Sequence, residues 1–175
     1  MNAQSYTQEL RLTVVIAEGD LASRRALVHL IEDAGHTAVA MPDGLDIMRV
    51  IGERPGDVVL ADDRMPGMSG SELLATVARL HPRVFRVLMS GSLVGSSMID
   101  AVNHARANYL LPKPFHVEEV RELLRLAAAE HRVAARLYPA ATDQTGVPMS
   151  CFEGAAPLVF TVNRRRHRRS TRAPS

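Results

Sequence analysis

The chain has 175 residues with 21 Lys+Arg against 19 Asp+Glu, and its net charge of +2 conceals a body over residues 1–132 at −3 and a tail over residues 133–175 at +5. One cysteine, Cys151, excludes an intramolecular disulfide and a Cys-rich zinc site, and no apolar run approaches the ~20 residues a membrane-crossing helix needs. Aromatic residues make up 4% with no Trp, which argues against a base-stacking platform, and 20 of the 21 cations are Arg, the exception being Lys113.

The opening MNAQSYTQEL has no cationic region followed by an apolar stretch, so it reads as an N-terminal extension (1–10) rather than a secretory leader, and a cytoplasmic location is expected. Residues 12–17, LTVVIA, are a β-branched apolar run that predicts a strand buried on both faces, ended by Glu18-Gly19-Asp20. Apolar positions Leu21, Leu27, Leu30, Ile31 and Ala34 then recur at helical spacing up to Gly35, a glycine suited to a helix stop. TAVAM (37–41) is a weaker strand. Leu45, Met48, Val50 and Ile51 mark a second helix before Pro55-Gly56.

DVVLA (57–61) predicts the third strand, followed by Asp62-Asp63 and the loop residues Met65-Pro66-Gly67-Met68-Ser69-Gly70. Ser71 is positioned to cap a helix over 72–80. VFRVLM (84–89) predicts a strand leading to Ser90-Gly91-Ser92, and 96–106 a helix with Met98, Ile99, Val102 and Ala105 inward. Asn108 to Leu111 is a short strand before Pro112-Lys113-Pro114-Phe115, and 117–137 is a long helix. Five strand–helix units in alternation predict an α/β fold, a doubly wound five-stranded parallel sheet of flavodoxin-like order 2-1-3-4-5 with helices on both faces.

The domain expected from this pattern runs over 11–132. Residues 133–175 hold the end of the last helix, a Pro/Thr/Gly-rich linker, a lone apolar run LVFTV (158–162) and the cluster Arg164-Arg165-Arg166 with Arg168 and Arg169. Most of this segment is expected to be disordered. Its arginines are the one route by which nucleic acid or an acidic partner is considered.

Ligands of open parallel sheets sit outside the carboxyl ends of the strands. The residues expected there are Glu18, Gly19 and Asp20 after strand 1, Asp62 and Asp63 after strand 3, Ser90 after strand 4 and Lys113 after strand 5. Carboxylates, one hydroxyl and one ammonium on a single rim suit a phosphoryl group: a carboxylate as nucleophile, neighbours for Mg²⁺, and a hydroxyl and an ammonium for the transferred oxygens. Asp20 has a second reading, as the cap of the first helix.

VVIAEGD, VLADDRMPGMSG, VLMSG and LLPKPF, in this order, resemble the receiver domain of two-component response regulators. The resemblance implies a phosphoacceptor at Asp62, a phosphoryl-binding hydroxyl at Ser90 and the invariant lysine at Lys113. It also implies a Mg²⁺ site from Glu18, Asp20, Asp62 and the backbone carbonyl of Arg64. Two positions depart from the family pattern. Gly19 stands where the family has a metal-binding aspartate, and the switch aromatic is replaced by Leu110, with Tyr109 beside it and expected on the other sheet face.

The function implied is a phosphoacceptor module loaded by a histidine kinase or phosphotransfer protein and read by a further protein through surface contact. A second copy of the chain is the other partner considered. No enzymatic activity is expected beyond self-catalysed phosphoryl transfer at its own aspartate. The departures leave an alternative open, a pseudo-receiver that binds protein independently of phosphorylation.

Overall fold

The computed structural model describes residues 10–53, 56–91 and 96–137. Expectations for residues 1–9, Ser92, Cys151, the 158–162 run and the arginine cluster fall outside the described residues, as does the side chain of Met98. Ten elements follow in strict alternation: β1 (Thr13–Ala17), α1 (Leu21–Asp33), β2 (Thr37–Met41), α2 (Gly44–Glu53), β3 (Val58–Asp62), α3 (Gly70–Leu80), β4 (Phe85–Ser90), α4 (Ser96–Ala105), β5 (Tyr109–Pro112) and α5 (Val117–Leu137). All strand pairs are parallel, in the order β2-β1-β3-β4-β5.

Side chains alternate across each strand, so the sheet carries two cores. Val14, Ile16, Leu60, Val87 and Met89 face α1 and α5, which contribute Leu27, Ile31, Val120, Leu123 and Leu124. Val15, Ala17, Val59, Ala61 and Leu88 face the other way, onto Ile47 and Ile51 of α2, Leu73, Leu74 and Val77 of α3, and Val102 and Ala105 of α4. Burial on both faces is why the central strands are continuous apolar runs. β2, at an edge, is only half-buried along its length, which matches its weaker sequence signal.

The apolar stripes differ from expectation at three helices: in α4, Ile99, expected inward, is exposed, and Val102 and Ala105 carry the buried face. The buried pair on α2 is Ile47 and Ile51, one turn apart, while Leu45 is exposed; Leu21 at the start of α1 is exposed too.

Strands β1, β3, β4 and β5 each begin one residue later than the apolar runs suggest, and at β3 and β5 the cause is an Asx side chain. Asp57 Oδ2 accepts from Thr13 N at 2.7 Å, and Asn108 Oδ1 accepts from Arg86 N at 2.9 Å. A side chain there supplies the bond a strand carbonyl would make, and the ladder starts beyond it. At the other end this register makes Asp62 and Ser90 the last residues of β3 and β4, paired in the sheet with Met89 and Pro112. Both functional candidates are thereby held by rigid strand backbone rather than by loops.

The cap of α3 is Ser69, not Ser71. The stretch Ser69-Gly70-Ser71-Glu72 forms a capping box: Ser69 Oγ accepts from Glu72 N, and Glu72 Oε2 accepts from Ser69 N at 2.9 Å. Those bonds, the Ser69 backbone bond first, hold the Glu72 carboxyl below its ordinary value. A carboxyl depressed in the folded state contributes stability above its unfolded pKa and loses it as pH falls through the folded value. Ser69→Ala removes the oxygen that caps Glu72 N, at an expected cost of about 1 kcal/mol in urea unfolding at pH 7. The gap from the parent should change little as the acid range is entered, because the backbone N–H of residue 69 still donates to Glu72 Oε2 in the variant; a gap that closes at low pH would place the cost in the carboxylate rather than in the capping of Glu72 N.

Candidate functional site

The rim formed by the carboxyl ends of β1, β3, β4 and β5 collects the expected residues. Glu18 follows β1 directly and is fully buried. Its backbone N–H donates to Met41 O at 3.1 Å, and its Oε1 accepts from Asp20 N at 3.0 Å. Its Oε2 accepts from Lys113 Nζ at 2.5 Å, closing 95 residues of chain. Lys113 follows β5, where its backbone N–H donates to Ser90 O at 2.9 Å. The same ammonium lies 3.0 Å from Asp62 Oδ1. Lys113 thus bridges two carboxylates, with side-chain exposures of 1% for Glu18, 14% for Asp62 and 21% for Lys113, so the pairing is shielded from solvent on most sides.

No buried side-chain oxygen or nitrogen among the described residues lacks a hydrogen-bond partner. The Asp62 side chain keeps 14% of its surface exposed, so the carboxylate is reached from solvent at the rim. The carboxylate is anchored at Oδ1 by the ammonium and remains partly open to solvent. Ser90 is 6% exposed at the adjacent strand end and is itself engaged in polar contact. The Lys113–Pro114 peptide bond is cis.

Other candidates are placed outside this centre or beside it. Asp20 is the N-cap of α1: its Oδ1 accepts from Ser23 N at 2.8 Å, and that backbone bond holds the carboxyl below its ordinary value. Arg64 lies in the exposed loop two residues past Asp62. Tyr109 packs toward the α1/α5 core and Leu110 toward the opposite one, as strand alternation requires. Burial, with Glu119 and Glu122 nearby, raises the Tyr109 phenol above its ordinary value.

Three contacts were not legible beforehand. Arg24 Nη1 donates to Glu18 O at 2.6 Å and to Gly19 O at 3.2 Å, strapping the β1–α1 loop. Its one sequence signal is a cation in the first turns of a helix, the end where the helix dipole disfavours positive charge. Asp63, neighbour to Asp62, accepts from Ser71 Oγ at 2.6 Å and is occupied as a tie between β3 and α3. Gly70 packs against the Asp62 backbone so closely that a Cβ there would sit 2.4 Å from Asp62 O.

Mg²⁺ needs near-octahedral oxygen ligands, usually with one or two carboxylates. As placed, the β1–α1 loop adds little to such a set, which leaves the Asp62 carboxylate and the Arg64 carbonyl as its candidate protein donors. Both oxygens of Glu18 are engaged, Gly19 brings no side chain, Asp20 is turned to α1, and the carbonyls of Glu18 and Gly19 hold Arg24. Among the described residues no three His, Cys, Asp or Glu side chains group in a way that could hold a metal ion.

Residues 14–125 match the response regulator receiver domain family. The chain is 28% identical over 119 residues to the DNA-binding transcriptional regulator NtrC of Escherichia coli, covering 68% of this chain and 25% of NtrC. To the response regulator protein FleR of Pseudomonas aeruginosa it is 32% identical over 115 residues, 66% of this chain and 24% of FleR. It spans about a quarter of the length of these relatives. Among solved structures, the signal receiver domain of an HD domain-containing protein from Pseudomonas fluorescens superposes with a TM-score of 0.65 at 22% identity, covering 70% of this chain and 99% of that one. The chemotaxis protein CheY4 of Vibrio cholerae gives 0.63 at 20%, covering 67% and 99%. The latter two are likenesses of fold. No helix among the described residues is long and apolar enough to cross a membrane. With its strand order, its rim and a match over most of its length, the chain belongs to the response regulator receiver domain family.

Proposed function

We propose that this chain is the phosphoacceptor of a two-component phosphorelay, taking a phosphoryl group on Asp62 from the phosphohistidine of a histidine kinase or phosphotransfer protein. The observation that supports the reading is the Asp62 carboxylate held at a strand end on Lys113 Nζ, 3.0 Å away, with 14% of its side chain exposed. Asp62 Oδ2 attacks phosphorus in line, the O–P bond forms and the P–N bond breaks. The electron pair leaves on the imidazole nitrogen. Lys113, already at the carboxylate, pairs with the incoming phosphoryl oxygens, and Ser90 turns its hydroxyl to them.

The new charge redistributes two surface states, and a protein partner binds one of them better. Output through the face of α4, β5 and α5 and a cytoplasmic setting complete the reading. Chemistry is confined to the chain's own aspartate.

The experiment is labelling with phosphoramidate. An acid-stable, base-labile phosphate is expected on the parent and lost in Asp62→Ala. A folded parent that takes no label with or without Mg²⁺ would sink the reading. It would favour the second one, a pseudo-receiver that binds protein without phosphorylation, to which Gly19 and the closed Glu18–Lys113 pair lend support.

A further inference from the structure

We propose that the apolar run Leu158-Val159-Phe160-Thr161-Val162 docks along the open edge of β2 as a sixth, parallel strand, so that this chain covers its own sheet edge, whether or not Asp62 is an acceptor. β2 ends the sheet on one side. Thr37 N donates to Leu12 O and Met41 O accepts from Glu18 N. Residues 37, 39 and 41 therefore turn their backbone groups to β1, and Ala38 and Ala40 turn theirs outward. Among the described residues nothing bonds those outward groups. Native sheet edges are guarded by charge, proline, a bulge or shortness. The other edge, β5, has four residues and ends at Pro112; β2, TAVAM, has five residues and none of these guards.

The hand of the fold decides where a strand after α5 must go. α2, α3 and α4 pack on one sheet face, α1 and α5 on the other. Connections through α2, α3 and α4 run toward β5, and the connection through α1 runs toward β2, so all share the right-handed sense of parallel crossovers. A parallel strand reached through α5, on the α1 face, must by the same sense lie toward β2, and the open position on that side is the β2 edge. α5 ends at Leu137, and 20 residues (138–157) separate it from the run. Extended chain spans about 3.3 Å per residue and neighbouring strands lie about 4.8 Å apart, so this linker crosses a five-stranded sheet with length to spare. A tether of this kind holds the run at about millimolar effective concentration, which favours it over a second copy of the chain.

The run also fits the edge in length and shape. It is the one β-branched apolar stretch in residues 138–175, and its five residues match the five of β2. Its side chains alternate, Leu158, Phe160 and Val162 to one face and Val159 and Thr161 to the other. On the α1 side β2 presents only Ala38 and Ala40, and a groove between β2 and α1 is lined by Leu21, Val28 and Ala40 together with polar side chains of α1. Leu21 is 50% exposed. Phe160, with Leu158 and Val162 in phase, fills this groove and removes its apolar lining from water. A parallel strand then brings Arg164-Arg165-Arg166 out at the carboxyl-end rim, on a body whose net charge is −3.

Residue-resolved amide hydrogen exchange on the full chain is the test, with circular dichroism to confirm that each variant folds. Phe160→Asp alters only the run. Ala38→Pro alters only the edge, removing an outward N–H where an edge strand tolerates proline. The Ala38 and Ala40 amides of the parent are expected to exchange at least about tenfold more slowly than those of Phe160→Asp. The amides of residues 159–162 should likewise exchange at least about tenfold more slowly in the parent than in Ala38→Pro. Both differences should survive an about tenfold dilution, because the tether fixes the local concentration. Equal Ala38 and Ala40 rates in the parent and Phe160→Asp overturn the inference, whatever Ala38→Pro does to the fold. Protection that is lost on dilution overturns it as well and assigns the edge to a second copy of the chain.

Discussion

Lys113→Met is expected to destabilise the protein by about 3–5 kcal/mol at neutral pH, the cost of leaving a buried charge without its partner. The charge in question is Glu18, fully buried and bonded through Oε2 to Lys113 Nζ. Methionine keeps most of the lysine's length and packs flexibly, so the loss is electrostatic rather than a cavity. Asp20 N still donates to Oε1, which compensates one oxygen and not the other. If this account is right, the double variant Lys113→Met/Glu18→Gln recovers most of the loss, because removing both charges removes the penalty as well as the attraction. Urea unfolding of the four members of the cycle measures this. A single variant that costs under about 1 kcal/mol would place the pair with ordinary surface bridges.

Gly70→Ala should cost about 2–3 kcal/mol, the range for forcing an atom into a packed site. In an unhindered helix position the same change gains up to about 1 kcal/mol, since alanine is the better helix former. The clash reverses that sign. The added Cβ would lie 2.4 Å from Asp62 O, 2.7 Å from Asp62 C and 3.1 Å from Asp63 Cα, all backbone atoms of a central strand end with no freedom to retreat.

Gly52 in α2 is the internal control: nothing lies within 4 Å of its Cβ position. Gly52→Ala is expected to stabilise by about 0.5–1 kcal/mol. Equal urea midpoints for the two variants would refute the close approach. A further consequence concerns the site: displacing the Asp62 backbone moves its carboxylate off Lys113, so Gly70→Ala should also slow phosphoramidate labelling in the fraction that remains folded.

The two variants show where local reading of the chain stops. That Gly70 follows a turn-rich loop is visible in the residues around it. That it abuts the carbonyl of Asp62 depends on how α3 docks on the sheet. The same holds at Ser69 and Ser71. Both precede an apolar helical pattern, and only the reciprocal bonding of Ser69 with Glu72 selects the cap, while Ser71 is drawn to Asp63. Asp20 carried two readings, and the geometry at Ser23 N shows which bond it makes. The one-residue offset of β3 and β5 arises from Asp57 and Asn108 accepting ladder bonds through their side chains, a choice that apolar periodicity does not encode.

The sequence by itself determined the alternation of five strands and five helices, the parallel sheet that such alternation requires, and which residues stand at the strand ends. These follow from short-range properties: apolar period, β-branching, and turn residues at fixed intervals. Tertiary structure decided what those residues do to one another. Lys113 reaches Glu18 across 95 positions and Asp62 across the sheet, and Arg24 turns back onto the carbonyls of Glu18 and Gly19. The physical reason is that charge pairing is set by distance and burial, and both are fixed by packing rather than by order along the chain.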